Sequence, residues 1–159
     1  MTSKQTRNGV TRRHILVLTG AGALAAAGAG LLPSTAMADK ASMEAAIKKK
    51  TGGRAAKSGR ISLELPQIAE NGNTVPIGIE VDSPMTGGDY VKDVHVFAEA
   101  NPRSEVVSIY FRPANGIAKA STRMRMIKSQ NVVAIAEMSD GSLYRETVAV
   151  KVTIGGCGG

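Results

Sequence analysis

Tyr144-Arg145-Glu146-Thr147-Val148-Ala149-Val150-Lys151-Val152-Thr153-Ile154 runs directly into Gly155-Gly156-Cys157-Gly158-Gly159. In the first part Tyr144, Glu146, Val148, Val150, Val152 and Ile154 alternate with Arg145, Thr147, Ala149, Lys151 and Thr153, the period of two that belongs to a strand with one covered face. The glycines then end the pattern. A residue without Cβ reaches backbone conformations closed to others, so the spacing predicts a strand that passes into a narrow, mobile tether. Three extended residues place the cysteine roughly 10 Å beyond Ile154.

The same period recurs upstream. Ile61, Leu63 and Leu65 alternate with polar residues, and Val75, Ile77, Ile79 and Val81 alternate with Pro76, Gly78 and Glu80. Val91, Val94, Val96 and Ala98 predict a strand with a bulge at Lys92-Asp93. Val107, Ile109 and Phe111 lead to the turn Pro113-Ala114-Asn115-Gly116. Ala118 to Met126 and Val132 to Met138 follow, and Asp140-Gly141 marks a hairpin before the last strand. About seven short strands at near-regular spacing predict an all-β, immunoglobulin-like antiparallel β-sandwich, with an open barrel as the alternative. Met124 and Met126 are core candidates, while Arg123 and Arg125 read as solvated residues or as an anionic or protein interface. A short helix over Ala41 to Thr51, stopped by Gly52-Gly53, precedes the strands.

Residues 1–38 read as an address. Lys4, Arg7, Arg12 and Arg13 precede an apolar stretch from Ile15 to Leu32 and the small-x-small site Ala36-Met37-Ala38, the three-part pattern of a cleaved export signal. Arg12-Arg13 places it in the twin-arginine class, whose substrates are exported folded, to the periplasm. The expected organisation is a signal at 1–38, a domain at 39–154 and a tail at 155–159. Folded export also suits a co-exported partner.

The whole-chain charge of +7 overstates the basic character, because those four basic residues leave with the signal and bring the remainder to +3. Most of that excess lies between Lys40 and Arg60. With five aromatic residues, Tyr90, Tyr110, Tyr144, Phe97 and Phe111, the chain is a poor match to a nucleic-acid binder, which needs a basic face and stacking platforms. Cys157 is the single cysteine. Exported proteins use cysteine in pairs, so an odd one on a terminal glycine run flags a reactive thiol.

Little other chemistry is visible. No cofactor motif, metal-ligand cluster or calcium-loop spacing occurs, and His95, the sole histidine after the signal, reads as a surface or interface residue more readily than as a base for Cys157. One nucleophile without catalytic partners suits a covalent carrier visited by enzymes. The alternative is an exported immunoglobulin-like interaction module with an incidental thiol.

The terminal Gly155-Gly156-Cys157-Gly158-Gly159, the twin-arginine segment, Val75-Pro76-Ile77 through Val81-Asp82-Ser83-Pro84-Met85-Thr86, and Val150-Lys151-Val152-Thr153-Ile154 resemble the SoxY family of sulfur carriers in thiosulfate oxidation. The resemblance implies sulfur attachment at Cys157, with Gly155, Gly156, Gly158 and Gly159 giving the tail its freedom. It implies a heterodimer with a SoxZ-like subunit. Transient docking to a SoxXA-like haem protein, a SoxB-like hydrolase and a SoxCD-like dehydrogenase is also implied. Nucleic acid, membrane and a resident cofactor are not.

Overall fold

The computed structural model describes residues 35–156. The expected signal segment up to residue 34, and Cys157, Gly158 and Gly159, lie outside the described residues. One helix, α1 (Thr35–Thr51), precedes nine strands: β1 (Ala56–Lys57), β2 (Ile61–Glu64), β3 (Ile68–Asn71), β4 (Val75–Val81), β5 (Val91–Ala98), β6 (Glu105–Tyr110), β7 (Ala118–Met124), β8 (Gln130–Met138) and β9 (Leu143–Ile154).

The alternating segments form two sheets. The larger has the order β1-β9-β8-β5-β6, with β3 also paired to β9; the smaller has the order β2-β4-β7. They pack face to face around Val75, Ile77, Ile79 and Val81 from β4 and Val94, Val96, Val132, Ala134 and Val150 from the larger sheet. Met124 and Met126 join this core, at 4% and 0% exposure. The fold is therefore an all-β sandwich with one helix. The expected irregularity in β5 is present as a register shift between Val91 and Asp93 against β8. It keeps Val91 and Val94 on the same buried face despite their odd spacing. Asp140-Gly141 turns β8 into β9, with Gly141 at φ 82°, while the Asn115-Gly116 turn carries the chain from one sheet to the other.

One expectation is corrected. The sandwich is not antiparallel throughout: β1 and β3 both run parallel to β9, with Ala56 opposite Leu143 and Ile68 opposite Lys151. Lys151 N–H donates to the Gln67 carbonyl at 2.9 Å, while Val152 N–H donates to Ser129 Oγ on the β8 side at 2.9 Å. Thus β3 lies along the edge of β9 opposite β8. These two short pairings are made by backbone groups that β9 would otherwise present unpaired, so they leave little side-chain pattern in the sequence.

The helix is also longer than Ala41 to Thr51, since no glycine or proline interrupts the chain from Thr35 onward. Met43, Ile47 and Thr51 recur every four residues and are buried. Met43 and Ile47 pack on Phe97, Val133, Ile135 and Leu143, on the face of the larger sheet away from the sandwich core. Gly52 and Gly53, at φ 64° and 77°, end the helix, and Gly53 N–H returns to the Lys48 carbonyl. Among the described residues no helix is long and apolar enough to cross a membrane.

Charge pairs fasten α1 at three points, one of them Asp39 with Lys128 of the β7–β8 connection at 2.9 Å. Arg145 on β9 donates to both oxygens of Glu44, at 2.6 and 3.1 Å, and Lys50 lies 2.7 Å from Glu105 Oε1 on β6. The Arg145 hydrogen bonds hold the Glu44 carboxyl below its ordinary range, and the Lys50 ammonium does the same for Glu105. A carboxylate depressed in the folded state adds stability above its unfolded pKa and loses it as pH falls through the folded value. Acidification through and below the ordinary carboxylate range is therefore expected to loosen α1 before the sandwich. Amide protection of Met43 to Lys50, corrected for intrinsic exchange, should fall relative to that of β4. Glu44→Gln should weaken α1 by up to about 1 kcal/mol at neutral pH and flatten part of that pH dependence. Equal protection of α1 and β4 at all pH values would contradict this.

Candidate functional site

The end of β9 is held by two neighbouring segments. Asn71-Gly72-Asn73 turns β3 into β4, and residues 125–129 connect β7 to β8. Gly72 N–H donates to the Ile154 carbonyl at 2.8 Å, Met126 N–H donates to the Gly72 carbonyl at 2.7 Å, and Gly156 N–H donates to the Met126 carbonyl at 2.9 Å. The three bonds link the two segments to the chain on either side of Gly155.

Close approach explains the glycines. A Cβ on Gly72 would collide with the Met126 carbonyl oxygen and stand 2.7 Å from the Gly156 nitrogen. On Gly155 it would collide with the Ile127 carbonyl oxygen. On Gly156 it would lie 2.9 Å from the Gly72 oxygen and 2.9 Å from Arg125 Cγ. Gly156 is buried. The expectation that mobility begins at Gly155 is thus corrected for Gly155 and Gly156. Both are packed against backbone, and glycine is required there because any side chain would overlap a main-chain atom. Cys157, Gly158 and Gly159 follow from this fixed root and lie outside the described residues.

The segment that holds the root is itself clamped. Asn101 Nδ2 donates to the Arg125 carbonyl at 2.7 Å, and Asn101 Oδ1 accepts from Ile127 N–H at 3.3 Å and from Gln130 Nε2 at 3.0 Å. Gln130, 9% exposed, also accepts from Ala100 N–H and donates to the Lys128 carbonyl. A buried amide with both ends satisfied gives this connection one conformation. Asn101 and Gln130 read as turn residues in the sequence, and Gly72 carried no distinctive pattern. The available signal was a second glycine, at a turn, able to face the tail.

His95 is elsewhere. It lies in register with Ile135, which is in register with Arg145, and Ile154 is ~30 Å further along β9 at about 3.3 Å per residue. Its Nδ1 is 2.7 Å from Ser108 Oγ, and Ser108 also donates to Glu105 Oε1 at 2.8 Å. Its Nε2 lies 3.3 Å from Asp93 Oδ1, close enough for an ion pair but not aligned for a hydrogen bond. The ring meets Tyr110 edge-on. These contacts bind β5 to β6 and do not reach Gly156. Arg123 and Arg125 also part company: Arg123 is exposed on β7, whereas Arg125 runs alongside Gly156. Among the described residues no group of histidine, cysteine or carboxylate side chains is placed to hold a metal ion.

The likenesses to known proteins fit this geometry. The family model described as sulfur oxidation protein SoxY matches residues 47–157, a stretch that ends on Cys157. No curated protein sequence matches the chain. Among solved structures, the sulfur carrier protein SoxY from Chlorobium limicola f. thiosulfatophilum is 33% identical, with a TM-score of 0.61 over 72% of this chain and 98% of that one. A variant of the superoxide reductase (neelaredoxin) from Ignicoccus hospitalis has 17% identity and a TM-score of 0.54, over 69% of this chain and 86% of that one. The superoxide reductase from Nanoarchaeum equitans has 15% identity and a TM-score of 0.51, over 60% of this chain and all of its own. At such identities the last two share the fold alone. The family model and the solved carrier both extend over most of the described residues, and the chain belongs to the SoxY family of sulfur-oxidation proteins.

Proposed function

We propose that this protein is an exported sulfur carrier, which holds sulfur intermediates on the Cys157 thiol and presents them to the enzymes of thiosulfate oxidation. The observation that carries the reading is the family match through Cys157, the single cysteine, immediately after a backbone root fixed at Gly156. The immunoglobulin-like sandwich serves as the handle. Residues 1–38 send it folded to the periplasm, together with a SoxZ-like subunit.

The chemistry needs only a thiol from this chain. Thiosulfate couples to the thiol through its outer sulfur, forming an S–S bond with release of one proton and two electrons to a SoxXA-like haem protein. Water then cleaves the bond from that sulfur to the sulfonate on a SoxB-like hydrolase, releasing sulfate and leaving a cysteine persulfide. A SoxCD-like dehydrogenase then removes six electrons from the outer sulfur while three waters supply its oxygens, giving a cysteine S-sulfonate, and a second hydrolysis releases sulfate and restores the thiol. A thiol of ordinary acidity is largely protonated at neutral pH, so the visited sites complete its activation. In this reading the protein is a substrate and not a catalyst.

Cys157→Ser is expected to abolish thiosulfate oxidation by the reconstituted enzymes and leave the melting temperature unchanged. Full activity would refute the carrier reading. Intact-mass analysis of the protein after turnover should show adducts of one sulfur, roughly 32 Da, or of thiosulfate, on Cys157 alone.

The root makes a separate prediction. Gly72→Ala forces apart backbone atoms that cannot yield as a side chain would, so a loss of about 1–3 kcal/mol is expected. It should be accompanied by faster hydrogen exchange at Gly156. Gly156→Val should behave similarly. Unchanged stability in both variants would show that the Gly72–Gly156 contact is not held in solution.

A further inference from the structure

His95 stands in a chain of close polar contacts whose protons can be counted. Its Nδ1 is 2.7 Å from Ser108 Oγ, Ser108 Oγ is 2.8 Å from Glu105 Oε1, and its Nε2 is 3.3 Å from Asp93 Oδ1. Each contact is favourable only with a hydrogen between the two heavy atoms. A neutral imidazole brings one hydrogen and the serine hydroxyl one. Glu105 brings none, because the Lys50 ammonium 2.7 Å away holds its carboxyl below the ordinary range and so ionised. Two hydrogens for three contacts leave one pair of acceptors facing each other. With the hydroxyl donating to Glu105, Nδ1 donates to Ser108, and the unmatched pair is Nε2 and Asp93 Oδ1. That oxygen is buried without a hydrogen-bond partner, an arrangement that costs free energy until a donor arrives.

The groups facing the ring come from every neighbouring element. β5 supplies Asp93, β6 supplies Glu105, Ser108 and the edge of Tyr110, and α1 supplies Lys50, which is paired with Glu105. From β8 the residue in register is the apolar Ile135. Lys92, next to Asp93 in the chain, is paired with Glu137 at 2.8 Å. The side chains of His95 and Asp93 are 12% and 19% exposed, so solvent screens this pair less than one on the open surface.

We propose that this cluster is a proton-operated fastening of the sheet edge: on mild acidification it takes up one proton, shared between His95 Nε2 and Asp93 Oδ1, and β6 is thereby tightened against β5. All three contacts are then matched, and Nδ1 becomes a charge-assisted donor to Ser108. The effect falls on β6 because that strand is bonded within the sheet to β5 alone. Through Glu105 and Lys50 it extends to the last turn of α1. Stability gained by binding a proton in the folded state is present at the lower pH and is lost as pH rises. This window lies above the carboxylate range in which α1 is expected to loosen, so mild and strong acid act in opposite directions. The inference goes beyond the carrier reading and does not depend on it.

Hydrogen exchange tests the fastening. Amides of β6 and β4 are compared, corrected for intrinsic rates, at about pH 8 and about pH 6, which span the range where imidazoles titrate. In the parent protein the protection of β6 relative to β4 should rise about threefold at the lower pH, the scale of a partly exposed ion pair. His95→Gln cannot take up the proton and should show no rise. Asp93→Asn places an amide donor opposite Nε2, so its β6 protection should be the same at both pH values. Both substitutions stay close to the original side-chain size, and the measurement on the parent protein stands without them. A ratio that does not change with pH in the parent, or a rise that persists in either variant, would overturn the assignment.

Discussion

Everything at the business end of this molecule depends on closing both edges of β9. Its N–H and C=O groups alternate in direction, and an unpaired edge of that length is a template for foreign strands. One edge is taken by β8 over Leu143 to Val150. The other is taken in two pieces, by β1 near the beginning and β3 near the end. The second piece has a further effect. Because β3 turns back at Gly72 just where β9 finishes, its backbone meets the emerging tail and the Met126 carbonyl together.

The larger sheet is then a plate covered on both sides. The smaller sheet lies on one face and α1 on the other, which is why Val132, Val133, Ala134, Ile135 and Ala136 are all buried in succession. The helix is seated by few apolar side chains and is fastened by ion pairs at Asp39, Glu44 and Glu105. Its attachment is consequently more sensitive to solution conditions than that of the sandwich beneath it. The His95 cluster tightens β5 against β6 on that same plate, far along the strand direction from the Gly156 end of β9.

The sequence was legible where side chains alternate and opaque where backbone alone makes the contact. β4 and β9 show their covered faces directly, and the odd spacing of Val91 and Val94 exposed a bulge. β1 and β3 gave no comparable signal, because two- and four-residue edge pairings need no apolar pattern. Val133 and Ile135 were the readable sign that β8 is covered twice, since a strand with one wet face would carry polar residues there. Gly155 and Gly156 illustrate a deeper ambiguity. Glycine permits freedom and it permits close approach, and only the partner at Gly72, distant in sequence, separates the two meanings. Cys157 stood out from its uniqueness and setting, while Arg125 could be placed beside Gly156 only through the fold.

A root at Gly156 shortens the leash. A thiol tethered from Ile154 would sweep a volume set by three free residues, whereas one tethered from Gly156 hangs on a single link. On the carrier reading proposed above, the domain would be part of whatever surface receives the sulfur, since a reactive centre would have to come within a few ångströms of the root. A thiol on so short a link would be confined to a small volume once such a domain docked. Its effective concentration at that centre would be correspondingly high, and fewer backbone rotations would remain to be frozen.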